Sequence, residues 1–269
     1  MFQQHPRILV IISLILLCIT IYISFVIGTI PIHFKDILQK ISTGEASNID
    51  TIIDLRLPRI LIALCVGAML SASGALLQAV LQNPLAEAQL LGVSSGALVA
   101  RTILLLLAPQ LFFYIPLLSF VGGMLPFLML FILSVKFKLL PTRMILIGVA
   151  MFAMLTGLLD LFAQNPFLKM PQGFTMKTWN DVKMIVLSAV IGLAMTIILM
   201  SKVNLLALEE KQANNLGFHI TKYRLIVGMV AVFLASASSA IVGPLAFVGL
   251  IIPNIVRKLI GANYKQVLP

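Results

Sequence analysis

The sequence predicts an all-α polytopic membrane protein. Three observations carry that prediction. Of the 269 residues, 60% are hydrophobic and 10% are charged, where a soluble domain carries about a quarter charged. Mean hydropathy is +1.09. The apolar residues fall in blocks close to the roughly 20 residues that a helix needs to cross the hydrocarbon core. A soluble fold of 29.3 kDa has too little interior to hide so much apolar surface. A secreted domain, a disordered chain and a cytosolic enzyme are excluded.

Eight candidate spans follow in order: 8–30, 59–81, 91–108, 112–134, 144–163, 184–201, 225–242 and a short one at 245–256. The first is too long for a signal-peptide core and lacks a small-residue cleavage site, so it reads as a retained helix. The third carries Arg101, and the fifth carries Asp160 near one end. The eighth is interrupted by Gly249 and Pro253, which predicts a broken or partly re-entrant helix. Such backbone is tolerated in a membrane only where protein or a water-filled cavity covers it.

Lysine and arginine set the orientation. With the N-terminus inside, the inner segments hold Arg7, Lys136, Lys138, Arg143, Lys202, Lys211, Lys222, Arg224, Arg257, Lys258 and Lys265. The outer segments hold fewer: Lys35, Lys40, Arg56, Arg59, Lys169, Lys177 and Lys183. They also hold Asp36, Glu45, Asp50, Asp54 and Asp181. Both ends of the chain are expected to be cytoplasmic. The net charge of +10 is thus a topology signal spread over short loops, and no nucleic-acid partner is expected. Cys18 and Cys65 lie in apolar runs, and His5, His33 and His219 share no metal-ligand spacing.

Small residues recur every fourth position at Ala63, Gly67, Ser71 and Ala75, and again at Ala231, Ala235, Ser239 and Gly243. Such stripes let helix backbones approach closely in lipid. The same stretches form a weak repeat. Ser71-Ala72-Ser73-Gly74-Ala75 leads to Pro84-Leu85-Ala86, and Ser236-Ala237-Ser238-Ser239-Ala240 leads to Pro244-Leu245-Ala246. The first helix runs inward and the second outward, the arrangement of an inverted transporter repeat.

No catalytic constellation is present. There is no phosphate-binding loop, no His-Glu-x-x-His and no Cys-x-x-Cys, so nucleotide hydrolysis of the P-loop kind would have to come from a partner. The spans are nearly free of acids, unlike those of proton- or sodium-coupled carriers. The long inner segment 202–224 alternates Leu205, Leu206, Leu208, Ala213 and Leu216 with Glu209, Glu210, Lys211 and Gln212, and Gly217 closes the run. It reads as an amphipathic helix, either lying on the surface or docking a soluble partner.

Five motifs carry a family resemblance. They are Arg56-Leu57-Pro58-Arg59, Ser73-Gly74-Ala75-Leu76-Leu77-Gln78, Asn83-Pro84-Leu85-Ala86, Leu91-Gly92-Val93-Ser94-Ser95-Gly96-Ala97, and Gly243-Pro244 through Gly249-Leu250-Ile251-Ile252-Pro253. In this order they resemble the permease subunits of iron-siderophore, vitamin B12 and heme ABC importers, over almost the whole chain. Gln164-Asn165-Pro166, Pro171-Gln172-Gly173 and Met176-Lys177-Thr178-Trp179 further resemble the heme permease of the iron-regulated surface determinant system.

The resemblance implies a permease homodimer with the path at its two-fold interface, two cytoplasmic ATPase subunits and an extracytoplasmic substrate-binding lipoprotein. Segment 202–224 matches the family's coupling loop, with Leu208, Glu210, Ala213, Leu216 and Gly217 in the pattern; Glu209 and Asn214 depart from it. Arg56 and Arg59 match positions that face acidic residues of the binding protein, although snorkelling at the interface is the plain alternative. Asn254 stands where a histidine is frequent. The family has ten spans, and this chain stops where a ninth would begin, which implies one permease domain, 1–269, cut short at its C-terminus. The expected function is the permease of an ABC importer for an iron complex, heme first and a ferric siderophore second, with no firmly bound cofactor. A secondary carrier or channel is the rival from another class. Arg101 is expected either to hydrogen-bond neighbouring carbonyls or to draw an anionic group, such as a heme propionate, along the path.

Overall fold

The computed structural model describes residues 6–27, 48–137, 141–163, 173–206 and 218–268. The helices in chain order are α1 (Pro6–Val26), α2 (Asn48–Val80), α3 (Val93–Leu107), α4 (Ile115–Phe137), α5 (Pro141–Ala163), α6 (Trp179–Leu206), α7 (Ile220–Val242), α8 (Val248–Ile260) and the short α9 (Tyr264–Val267). A 3₁₀ turn, Pro109–Tyr114, joins α3 to α4. Among the described residues there is no strand, and six helices are long and apolar enough to cross a membrane. They are α1, α2, α4, α5, α6 and α7. The apolar faces of α1, α4, α5 and α6 are largely exposed, as lipid-facing surfaces would be.

α7 is the centre of the fold. It packs against α2, α3, α4 and α6, and from Val227 to Val242 most of its residues are buried. Its run of alanines and serines leaves no bulky ridge on any side, so four neighbours can close on it. Ser73 of α2 crosses this contact, donating its hydroxyl to the Ala231 carbonyl at 2.7 Å. Ala231, Ala235 and Ser239 are all buried, as the second small-residue stripe predicts.

The first stripe behaves differently. Ala63 is exposed, and a Cβ on Gly67 would meet nothing within 4 Å. The close approach on α2 occurs instead at Gly74, where a Cβ would overlap the Gly249 carbonyl of α8. Small size alone did not identify the contact; the neighbouring helix did. Replacing Gly74 by Val is expected to destabilise the protein by about 1–3 kcal/mol or more, because backbone cannot yield as a side chain can. Gly67→Ala should shift stability by no more than about 0.5 kcal/mol. Thermal unfolding of the two purified variants checks this contrast.

Two of the eight predicted spans are shorter than the other six. α3 has 15 residues and α8 has 13, about 22 and 20 Å at 1.5 Å per residue, against a hydrocarbon core of about 30 Å. Gly96 in the first turn of α3 lies against the Gly122 backbone of α4, roughly 20 Å from the end of α4 at Phe137. Gly249 in the first turn of α8 lies against Leu70 and Gly74, roughly 10 Å or more short of the end of α2. Both short helices therefore start inside the protein.

Candidate functional site: paired broken helices and a capped helix end

Each short helix follows a long one through an irregular turn. After α2, Asn83 Oδ1 accepts from the Leu85 amide at 2.8 Å, and the Ala86 amide returns to the Asn83 carbonyl. This is the local turn that an Asn-Pro pair favours. The turn ends on Gly92, left-handed at φ 76°, which caps α3. After α7, Gly243 takes φ 90°, and the turn ends on Phe247, left-handed at φ 67°, which caps α8. Neither cap residue bonds the helix through its side chain. A long helix, a Pro-Leu-Ala turn, a left-handed cap and a short helix thus occur twice. The structure supports the repeat inferred from the sequence.

The two turns meet. The Phe247 amide donates to Glu87 Oε1 at 3.3 Å, Gln78 Nε2 donates to the Gly249 carbonyl at 3.2 Å, and Asn254 Nδ2 donates to the Pro84 carbonyl at 2.9 Å. Asn254 is therefore a structural amide in this structure. Glu87 is 3% exposed. Sequence reasoning missed it, because the acid lies in a connection and its partner is 160 residues away.

The second feature is the C-terminal end of α7. The last carbonyls of a helix have no partner within it. Here each has one. The Ser239 carbonyl accepts from the Gly243 amide at 2.9 Å, and Ala240 accepts from Arg101 Nη1 at 2.5 Å. Ile241 accepts from Lys177 Nζ at 2.5 Å, and Val242 accepts from the Gly173 amide at 2.7 Å. Two cations at the negative end of the dipole are also electrostatically favourable. Lys177 is buried, which pushes its amine down; the Asp181 carboxylate draws it back up, and Arg101 lowers it again. Asp181 is itself fixed, accepting from the amide and hydroxyl of Thr178, both at 2.9 Å. With the Asp181 amide donating back to Thr178 Oγ1, this is a capping box at the start of α6. Arg101 therefore makes the carbonyl contact that was one of its two expected roles.

Arg56 and Arg59 line a cavity of about 540 Å³ between α1 and α2, with Thr20, Ser24 and Phe174. Arg56 Nη1 donates to the carbonyls of Phe25 and Val26, at 2.6 and 3.2 Å, and so caps α1. Arg59 Nε is buried without a hydrogen-bond partner. Leu208, Glu210, Ala213, Leu216 and Gly217 lie outside the described residues. The flanks of that segment are well tied. Gln82 Nε2 donates to the Leu206 carbonyl, Phe218 stacks on Tyr223 at 4.5 Å, and Lys202 lies 5.5 Å from the Tyr223 ring. The described residues contain no group of acids, histidines and cysteines able to hold a metal ion.

A bundle of helices long and apolar enough to cross a membrane, with two short helices interlocked at their starts, is the architecture of a membrane permease. The comparisons with known proteins make the class specific. The profile of the FecCD transport family matches residues 16–269, and the chain belongs to that family. Over its whole length it is 54% identical to a probable heme-iron transport system permease protein, IsdF, of Staphylococcus aureus strain MSSA476, covering 84% of that relative. The IsdF of strain Newman matches at the same identity and coverage. Among solved structures, a metal-chelate type ABC transporter in an inward-facing conformation superposes with a TM-score of 0.78 at 29% identity, over 98% of this chain and 84% of that one. The chain is a membrane permease and not an enzyme.

Proposed function

We propose that this chain is the permease subunit of an ABC importer that carries heme across the cell membrane, using ATP hydrolysed by a partner subunit. The observation that carries this reading is the 54% identity to a heme-iron permease along the entire chain. The metal-chelate character of the structural relative supports a second reading, import of a ferric siderophore by the same machine. The complex has two permease copies, cytoplasmic ATPase subunits docked on Leu208, Glu210, Ala213, Leu216 and Gly217, and an extracytoplasmic binding lipoprotein. Arg101 lies beside the path and attracts an anionic group such as a heme propionate, in addition to capping α7. Uptake of radiolabelled iron by proteoliposomes containing the complex separates the cargoes. ATP-dependent uptake of heme but not of a hydroxamate or catecholate complex is the expected result, and the reverse preference overturns the heme reading. Uptake that runs without the ATPase overturns both.

Arg56 and Arg59 dock an acidic lobe of the binding protein in this reading. Their contacts make the two positions unequal tests. Arg56→Glu also removes the α1 cap, whereas Arg59 has no hydrogen bond to lose at Nε. Arg59→Glu is expected to slow association about tenfold at low salt with a smaller effect at high salt, as rim charges do. A charge reversal on the partner should restore part of the rate. Binding kinetics across ionic strength measure this, and an unchanged association rate at low salt would sink the docking role.

A further inference from the structure

We propose that Glu87 is the positioning residue that pins the 81–92 turn to the start of α8, so that the two broken-helix turns move as one body during transport. The first turn of any helix exposes amides without partners and carries the positive end of the dipole. α8 has no capping side chain of its own. Glu87 supplies one from the other repeat, accepting from the Phe247 amide at 3.3 Å. Glu87 as a residue is 3% exposed, and burying a polar group is costly unless a hydrogen-bond partner meets it.

The conformation of Phe247 points the same way. A left-handed backbone at a residue with a bulky side chain persists only where the surroundings impose it. The Phe247 side chain does not impose it, being 57% exposed. The constraint lies in the backbone, where the Glu87 contact and the overlap-tight Gly74–Gly249 crossing hold both sides of the turn. The bonds from Gln78 to Gly249 and from Asn254 to Pro84 run parallel to it. They tie the connection to α8 but leave the α8 amides untouched. Among the described residues, the Glu87 side chain reaches the backbone amide at which α8 begins.

The test is amide exchange in the assembled permease–ATPase complex in nanodiscs, with uptake as a second readout. Glu87→Leu should raise exchange at 247–250 by about tenfold or more while the α7 core stays protected. ATP-driven uptake of heme should fall by a similar factor with ATP hydrolysis retained. Glu87→Gln keeps an acceptor oxygen and should stay within about threefold on both measures. Adding Phe247→Gly, which relaxes the left-handed residue, should return part of the uptake lost in Glu87→Leu. If Glu87→Leu does not insert, Glu87→Asp, shorter by one methylene, is expected to show the same changes at smaller size. Unchanged exchange at 247–250 overturns the pin, whatever uptake does. Raised exchange with normal uptake overturns the coupling. The uptake arm rests on the transporter reading, whereas the exchange arm does not, so failure of one is distinguishable from failure of the other.

Discussion

Replacing Leu208 with Glu and Gly217 with Asp is expected to abolish ATP-driven uptake while leaving membrane insertion intact. The segment between α6 and α7 alternates leucines with charged residues, which suits a helix that lays one apolar face in a partner's groove. Its anchor points are fixed by the Gln82–Leu206 bond and the Phe218–Tyr223 stack, so a partner's push would reach α2, α6 and α7 together. A charge placed on a buried interfacial leucine typically costs about 2 kcal/mol or more, about thirtyfold in affinity. Charging two positions should remove the ATPase from the complex at working concentrations. Pull-down of the ATPase, protease protection of the loops and uptake are the three measurements. Normal uptake with normal ATPase association would sink the coupling role.

What could be read from the sequence follows from what lipid demands. A bilayer penalises every unpaired backbone group and every charge, so long apolar helices announce themselves. The six long apolar helices among the described residues were visible for that reason, although α2 and α6 extend beyond the predicted 59–81 and 184–201. The broken helices were half visible. Pro253 and Gly249 marked α8, but nothing local marked α3 as short, because Val93–Leu107 lies within a longer apolar run. Gly92 takes a left-handed φ of 76°, and a Cβ there would also press on the backbone of Phe152 at 3.3 Å.

The polar contacts were the least visible. Lys177 counted as one more outer-loop cation, yet it bonds a carbonyl 64 residues away. Glu87 was one unremarked acid after a Pro-Leu-Ala turn, yet it caps a helix in the opposite repeat. No periodicity encodes such pairs, since each partner is backbone and every residue has one. Arg101 stood out only because a charge in a span is costly. That cost flagged the position without choosing between its two expected roles.

Arg101→Gln and Lys177→Gln are expected to separate those roles. Each removes a charge-assisted bond to the end of α7, a kind worth about 1.5–3 kcal/mol, and each leaves a helix carbonyl in want of a donor. Glutamine retains an amide donor but is shorter and uncharged, so the loss for each single change should fall near the lower end of that range. The two carbonyls are adjacent, at Ala240 and Ile241. Once one cap is gone the last turn of α7 is free to fray, and the second cap then has less to hold. The double variant should therefore lose less than the two single losses combined, as contacting sites do. Thermal unfolding of the purified complex measures the cap. Heme uptake per assembled transporter, compared with an uncharged ligand complex, measures the path. A drop in stability with equal uptake of both cargoes assigns Arg101 to the helix end alone. Unchanged stability with a selective loss of heme uptake assigns its charge to the path and overturns the cap as its main work.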